Sequence, residues 1–295
     1  IGKGRPARLR AALSNAFGFG GSGAVLVFEE AASASRGLPT STRASVAVTG
    51  TASLDLSGLL VGERCAAAFA APSADARDSP SLRPLDLLDP ARSRRFDTQA
   101  SLVTAGAGAA LGNAGLPAAE AGLIVGTAFG SVERTVSFIR ASIDKGPRRA
   151  APAEFPHLVP SAASGNASIY LGLSGPVLTT SHLEASAEAA IALGCDWVEA
   201  GFATGMVAGS AEAEDALVET VLAPACEDGP GRSSRAAGTA WVVLEPLNVA
   251  RGRDARVLAV FLGRYEFGLE ALAEARIPPP AAPGRAIVAS ARDLA

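Results

Sequence analysis

Thiols and imidazoles, the side chains most readily recruited to covalent and acid–base chemistry near neutral pH, are few in this sequence: three cysteines, Cys65, Cys195 and Cys226, and two histidines, His157 and His182. Their separation gives neither a metal-ligand spacing nor a disulfide framework, so neither a metal nor a cofactor is expected. The chemistry concentrates instead in Gly175 to Glu212, GPVLTTSHLEASAEAAIALGCDWVEAGFATGMVAGSAE. Thr180 and Ser181 are N-cap residue types, and Ser181 with Glu184 three positions on has the capping-box pattern. A helix is predicted to begin near His182. From Glu184 to Glu199 the residues are mostly Ala, Ser, Leu, Ile and Val, too small and apolar for a surface helix, which suits burial between two layers. Gly201 ends it, and Ala203 to Ala208, closed by Gly209, reads as a buried strand. A buried helix start gathers free N–H groups that favour an anion or a thiolate, so chemistry can be done there.

The composition bounds what that chemistry can serve. At 295 residues and 48% hydrophobic, with a mean hydropathy of +0.27, the chain can bury the core of one large domain or two ordinary ones. A net charge of −3 and a pI near 5.6 give no electrostatic case for nucleic acid or an anionic membrane as partner. The basic start GKGRPARLRAAL runs into Asn15, glycines and Glu29–Glu30, which is not the apolar core of a signal peptide. The uncharged run Ala100 to Ala119 holds Asn113, Pro117 and four glycines, so it reads as an Ala/Gly-rich helix and not as a membrane span. The expectation is a cytoplasmic, metal-free protein. Residue 1 is Ile, which points to a start inside a longer reading frame.

The elements that position the central stretch follow in order. Residues 7–31 read as strand, glycine loop, strand: ARLRAALSN, AFGFGGSG and AVLVFEEA. Residues 32–44 lack periodicity and read as a linker. SVAVTG is a first strand closed by Gly50, and the Pro-, Asp- and Arg-rich residues 62–93 read mostly as loop. Phe96 to Gly115 is a helix with Gly115 and Pro117 as stop signals. GLIVGTAFGS is a strand, Val132 to Ile143 a helix, and SAASGNASIYLGL a second closely packed helix. AEDALVETVLA is an acidic helix, followed by a loop that takes in Cys226. AGTAWVVLEPL and ARVLAVFLGRYEF are strands across the charged turn ARGRD. FGLEALAEARI is a helix and AIVAS a strand start. This alternation predicts α/β with right-handed crossovers and a largely buried sheet.

SNAFGFGGSGAVLVFEE resembles the C-terminal signature of β-ketoacyl synthases, the condensing enzymes of fatty-acid and polyketide synthesis. Residues 45 to about 265 resemble the N-terminal lobe of the same family, through SVAVTG, RRFDTQASLVTAGAGAALGNAGL, IVGTAFGS, PSAASGNASIYLGLSGP, GMVAGSAEAE and GTAWVVLEPLNVARGRDARVLAVFLG, in that order. The resemblance implies a thiolase-like layered α/β fold: mostly a ketosynthase N-terminal lobe, preceded by the C-terminal strand–loop–strand of a ketosynthase. Because the C-terminal signature comes first, two tandem units are expected, with a circular permutation as the alternative. Residues 1–32 are then the tail of one unit, 33–44 a linker, 45–265 the next unit's N-terminal lobe, and 266–295 the truncated start of its second lobe.

In the family a cysteine at the start of the buried helix takes the acyl group, since helix-end N–H groups favour thiolate. The resemblance places Glu184 at that nucleophile position, with Ala185, Ser186 and Ala187 matching the small residues that follow it and Ser186 at the substrate-binding site. A carboxylate suits the helix dipole but is a far weaker nucleophile than thiolate, and its structural reading is the capping-box glutamate. The family's two histidines belong to the second lobe, and His157 and His182 match neither; both read as structural. Cys195 falls within the buried helix, Cys226 in an exposed loop, and Cys65 has no basic partner, so none reads as a replacement nucleophile. By resemblance Phe19 supplies an oxyanion-hole N–H and gates the acyl pocket, with Phe17 beside it. The implied function is a non-condensing, chain-length-factor-like partner of an active ketosynthase, in a homo- or heterodimer that meets acyl carrier protein. The alternative is a ketosynthase-like acyltransferase or malonyl decarboxylase acting on acyl carrier protein substrates; a third reading is a fragment without independent activity.

Overall fold

The structure is a computed structural model that describes residues 11–17, 23–29, 44–55, 58–65, 83–146, 148, 151–226, 237–268 and 285–292. Strands β1 (Ala11–Phe17) and β2 (Gly23–Glu29) pair antiparallel, as the strand–loop–strand reading expects, and among the described residues they pair with no other strand. The main sheet has eight strands. They are β3 (Val46–Asp55), β4 (Gly58–Val61), β5 (Ala121–Gly126), β6 (Val177–Thr180), β7 (Gly205–Glu212), β8 (Gly238–Pro246), β9 (Ala259–Gly268) and β10 (Arg285–Arg292). Their order is β10-β9-β3-β8-β7-β5-β6, with β4 alongside β3. The helices are α1 (Pro90–Ser93), α2 (Thr98–Ala114), α3 (Val132–Lys145), α4 (Ser161–Leu171), α5 (Ser186–Glu199), α6 (Ala216–Cys226) and α7 (Leu247–Gly252).

The sheet is mixed. Among the described strands β5–β6, β5–β7 and β9–β10 pair parallel, whereas β8 is antiparallel to both β7 and β3, and β3 is antiparallel to β4 and β9. Its centre is covered on both faces. Every residue of β5 is buried, and alternate side chains enter different clusters. Leu123, Val207 and Val243 meet Val103, Ala107 and Ala110 of α2, while Ile124, Ala208 and Leu244 meet Ala190, Cys195 and Val198 of α5. This period-two division is what a strand between two helical layers requires. Each fully buried Leu or Ile contributes about 1.5–3 kcal/mol of transfer free energy. Small residues bring α2 close: a Cβ at Gly106 would fall 2.4 Å from the Trp241 indole nitrogen.

Helix α2 runs as the stop signals predict. Asp97 caps it by accepting from the Ala100 N–H at 2.7 Å, and Gly115 ends it in the left-handed conformation with φ of 62°. Elsewhere the structure differs from the sequence reading. β3 is ten residues long, extended by its pairing with β8. β4 and β6 were not expected, and residues 62–93, read mostly as loop, contain a 3-10 turn at Pro84–Leu87 and α1. The charged turn before β9 is partly α7. Cys226 is the last residue of α6, not a loop residue. The helix predicted over FGLEALAEARI lies mostly outside the described residues, and β10 joins the main sheet beside β9. Among the described residues no helix is long and apolar enough to cross a membrane.

Candidate functional site

The parallel strands β7, β5 and β6 end together, with Gly126 opposite both Ser210 and Thr180. In open α/β sheets the crevice at such carboxyl ends is where ligands bind. Here the chain leaving β6 turns back over β5 to start α5. The Thr127 N–H donates to the Thr180 carbonyl at 3.0 Å, and the Ser181 hydroxyl donates to the Ala128 carbonyl at 3.4 Å. His182 follows, then a 3-10 turn at Leu183–Ala185, and the α-helix begins at Ser186. The helix start predicted near His182 is therefore preceded by a tighter turn, and Ser181 does not cap it.

Ser186 closes this turn. Its hydroxyl accepts from the His182 N–H at 3.0 Å and donates to the Leu183 carbonyl at 2.6 Å, and the residue is only 3% exposed. Leu183 has φ of 50°, a left-handed conformation that bulky residues avoid. The turn sits close upon β5. A Cβ at Gly126 would fall 2.1 Å from the Ser186 carbonyl oxygen, so only glycine fits. Glu184 is the middle residue of the 3-10 turn; its side chain lies outside the described part.

A buried polar strut beneath the turn escaped the sequence reading. Gln99 of α2, 2% exposed, donates to the Ala211 carbonyl at 2.6 Å and to the Thr127 hydroxyl at 3.3 Å, and accepts from the Ala213 N–H at 2.9 Å. Thr127 in turn accepts from the Gly130 N–H at 2.9 Å, and the Glu212 carboxylate accepts from the Ala128 N–H. These bonds tie the β5–α3 loop to α2 and β7. The signal was available, since Gln99 is an amide at the head of an apolar helix and needs partners once buried.

Of the other expected residues only His182 is on the turn; the rest lie in other elements or outside the described part. Phe17 ends β1 opposite Gly23, and Phe19 lies outside the described residues. Cys195 is fully buried, and burial, reinforced by Glu199 and Asp196, pushes its thiol up to about 12. It stays protonated at neutral pH and is a core residue. Cys65 donates to the Leu60 carbonyl at 3.3 Å. His182 is exposed on the turn. His157 lines a separate surface groove of about 410 Å³ with Arg92, Arg94, Arg95, Phe96, Ile169 and Tyr170. There Arg92 stacks 4.3 Å from the Tyr170 ring centroid, while Arg94 and Arg95 are exposed. Among the described residues no three His, Cys, Asp or Glu side chains gather as a metal site.

The family model for the beta-ketoacyl synthase N-terminal domain matches residues 83–245, which contain the turn, the strut and the groove. Nodulation protein E of Rhizobium sp. (strain N33) is 34% identical over 187 residues, covering 58% of this chain and 45% of that protein. A 3-oxoacyl-[acyl-carrier-protein] synthase 2 of Staphylococcus aureus is 28% identical over 200 residues, covering 60% and 49%. The chain thus spans about half the length of these relatives. Its fold is similar to that of the ishigamide ketosynthase/chain length factor, with a TM-score of 0.62 at 22% identity over 73% of this chain and 65% of that one. It is also similar to the AntDE:AntF structure, a type II PKS acyl-carrier protein in complex with its ketosynthase bound to the hexaketide. That match has a TM-score of 0.64 at 20% identity, over 75% of this chain and 69% of the other. Matched over more than half its residues and sharing the layered α/β fold, the chain belongs to the β-ketoacyl synthase family.

Proposed function

We propose that the chain is a non-condensing β-ketoacyl synthase homologue of fatty-acid or polyketide biosynthesis, a chain-length-factor-like partner of an active ketosynthase. The reading rests on the assignment, by resemblance, of Glu184 to the family's nucleophilic cysteine position, and the observation that supports it is that Glu184 lies on the tight turn just before α5. A carboxylate is stabilised by the helix start but does not form an acyl thioester, and neither Cys195 nor Cys65 is placed to substitute. Two surfaces support pairing. Among the described residues β6 is an edge strand, paired on one side by β5, and such an edge can take up a strand of another chain. α3, amphipathic with no fully buried residue, leaves Ile139 50% and Ile143 75% exposed. Arg94 and Arg95 at the groove offer an anionic partner a footing, and acyl carrier protein is the partner this reading assigns. We place the protein in the cytoplasm and propose that residues 1–32 are the tail of a preceding ketosynthase unit. The separate β1–β2 hairpin supports that division.

The test uses acyl carrier protein loaded with an acyl chain, incubated with the full chain and followed by intact mass. No covalent transfer is expected, and stable acylation at Glu184 would sink the proposal. For pairing, co-expression with the neighbouring ketosynthase should give co-elution and a product length that changes when this chain is omitted. The carboxylate at an intact turn favours one second reading, decarboxylation of malonyl carrier protein to an acetyl primer. Release of carbon dioxide that is lost in Glu184→Ala would establish it in place of the first.

A further inference from the structure

We infer that Ser186 is the residue that positions the turn carrying position 184, so that the turn stays preset for a nucleophile although the thiol is gone. Leu183, immediately before that position, holds φ of 50°. A residue with a large side chain keeps this conformation only where its surroundings over-determine it. Packing does not do so, because Leu183 is 59% exposed. The hydrogen bonds do. The Ser186 hydroxyl takes the His182 N–H on one side of Leu183 at 3.0 Å and gives its proton to the Leu183 carbonyl on the other at 2.6 Å. Its one proton and one of its two lone pairs are thereby used on the turn, and at 3% exposure it offers a substrate almost no surface. Gly126 gives the closed turn its seat, since a Cβ there would lie 2.1 Å from the Ser186 carbonyl oxygen. The task of Ser186 is to hold the backbone on which residue 184 is carried.

This rests on the assignment of position 184 made above, and its test is independent of whether the chain pairs or decarboxylates. Glu184→Cys is made in the full chain, and alkylation of the introduced thiol by iodoacetamide is followed between about pH 5 and 10, with the peptide identified by mass. The thiol should titrate about one unit or more below the ordinary value of ~8.5. Adding Ser186→Ala should raise it by about one unit, slowing alkylation at neutral pH roughly tenfold. In a Leu183→Gly background, where glycine needs no holding, Ser186→Ala should have a smaller effect. An ordinary pKa in Glu184→Cys alone overturns the assignment. So does an equal effect of Ser186→Ala in both backgrounds, or a lowered melting temperature with the thiol pKa unchanged. A Ser186→Ala protein that folds only beside Leu183→Gly supports it; one that fails in both sinks it.

Discussion

Glu245 is completely buried, and its carboxylate is held by two bonds from Arg253 at 2.8 and 2.6 Å and by the Thr49 hydroxyl. Arg253 also donates to the Ala114 and Gly115 carbonyls at the end of α2. Removing the guanidinium strands a buried charge, so Arg253→Ala should lower stability by about 3–5 kcal/mol. Arg253→Met with Glu245→Gln should cost less; chemical denaturation of both variants checks this. Cys195 makes a prediction about pH. Its folded pKa, about 12, lies above its ordinary value of 9.0, so its contribution is fully present below pH 9 and is lost as pH rises toward 12. Stability should fall with a slope of at most ~1.4 kcal/mol per pH unit from this group, and Cys195→Ala should flatten that limb of a denaturation-versus-pH series. Single residues were the least legible scale. Ser181 and Glu184 have the spacing of a capping box, yet the Ser181 hydroxyl donates to the Ala128 carbonyl and it is the Ser186 hydroxyl that takes a backbone N–H of the turn, that of His182. Side-chain partners are chosen by tertiary geometry that spacing does not contain.

Helices and long strands were far more legible. The end of α2 coincides with the stop signal Gly115, whereas α4 stops at Gly172 inside the stretch read as helix; both glycines have positive φ, which favours a residue without Cβ. β6 was missed, since four residues at a sheet edge show neither alternation nor a buried run. The added length of β3 comes from its register with β8, a long-range property. Two predictions belong here. Gly126→Ala forces the α5 turn off β5 and should destabilise by about 1–3 kcal/mol, measured by thermal melting. Ile143→Glu on α3 should leave the melting temperature within a few degrees, because Ile143 is 75% exposed, while weakening co-elution with a ketosynthase partner. Unchanged pairing would show that this face is not used.

For the molecule as a whole, the layered α/β class and the order of the longer elements between β3 and β9 were readable from glycines, small-residue helices and family motifs, while the short β4, β6, α1 and α7 were not. The mixed sheet was not, since alternation of strands and helices is silent on direction. Among the described residues the hairpin shares no strand pairing with the main sheet, which predicts that deleting residues 1–43 leaves the cooperative melting of the remainder unchanged within about 2 °C. A large drop would mean that the hairpin is part of the same folding unit.

Thr49 lies where the pairing of β3 with β8 shifts by one residue, between Val48 and Gly50, and its partner Glu245 is 196 residues further along the chain. At about 5–20 residues per second of synthesis, β3 leaves the ribosome roughly 10–40 s before β8 exists to cover it. During that interval its buried residues Val46, Ala47 and Val48 have no neighbour in the main sheet except β4, which pairs only from Ala52 onward. Recovery of soluble protein should therefore depend on translation speed and chaperone supply more than the stability of the finished sheet would indicate.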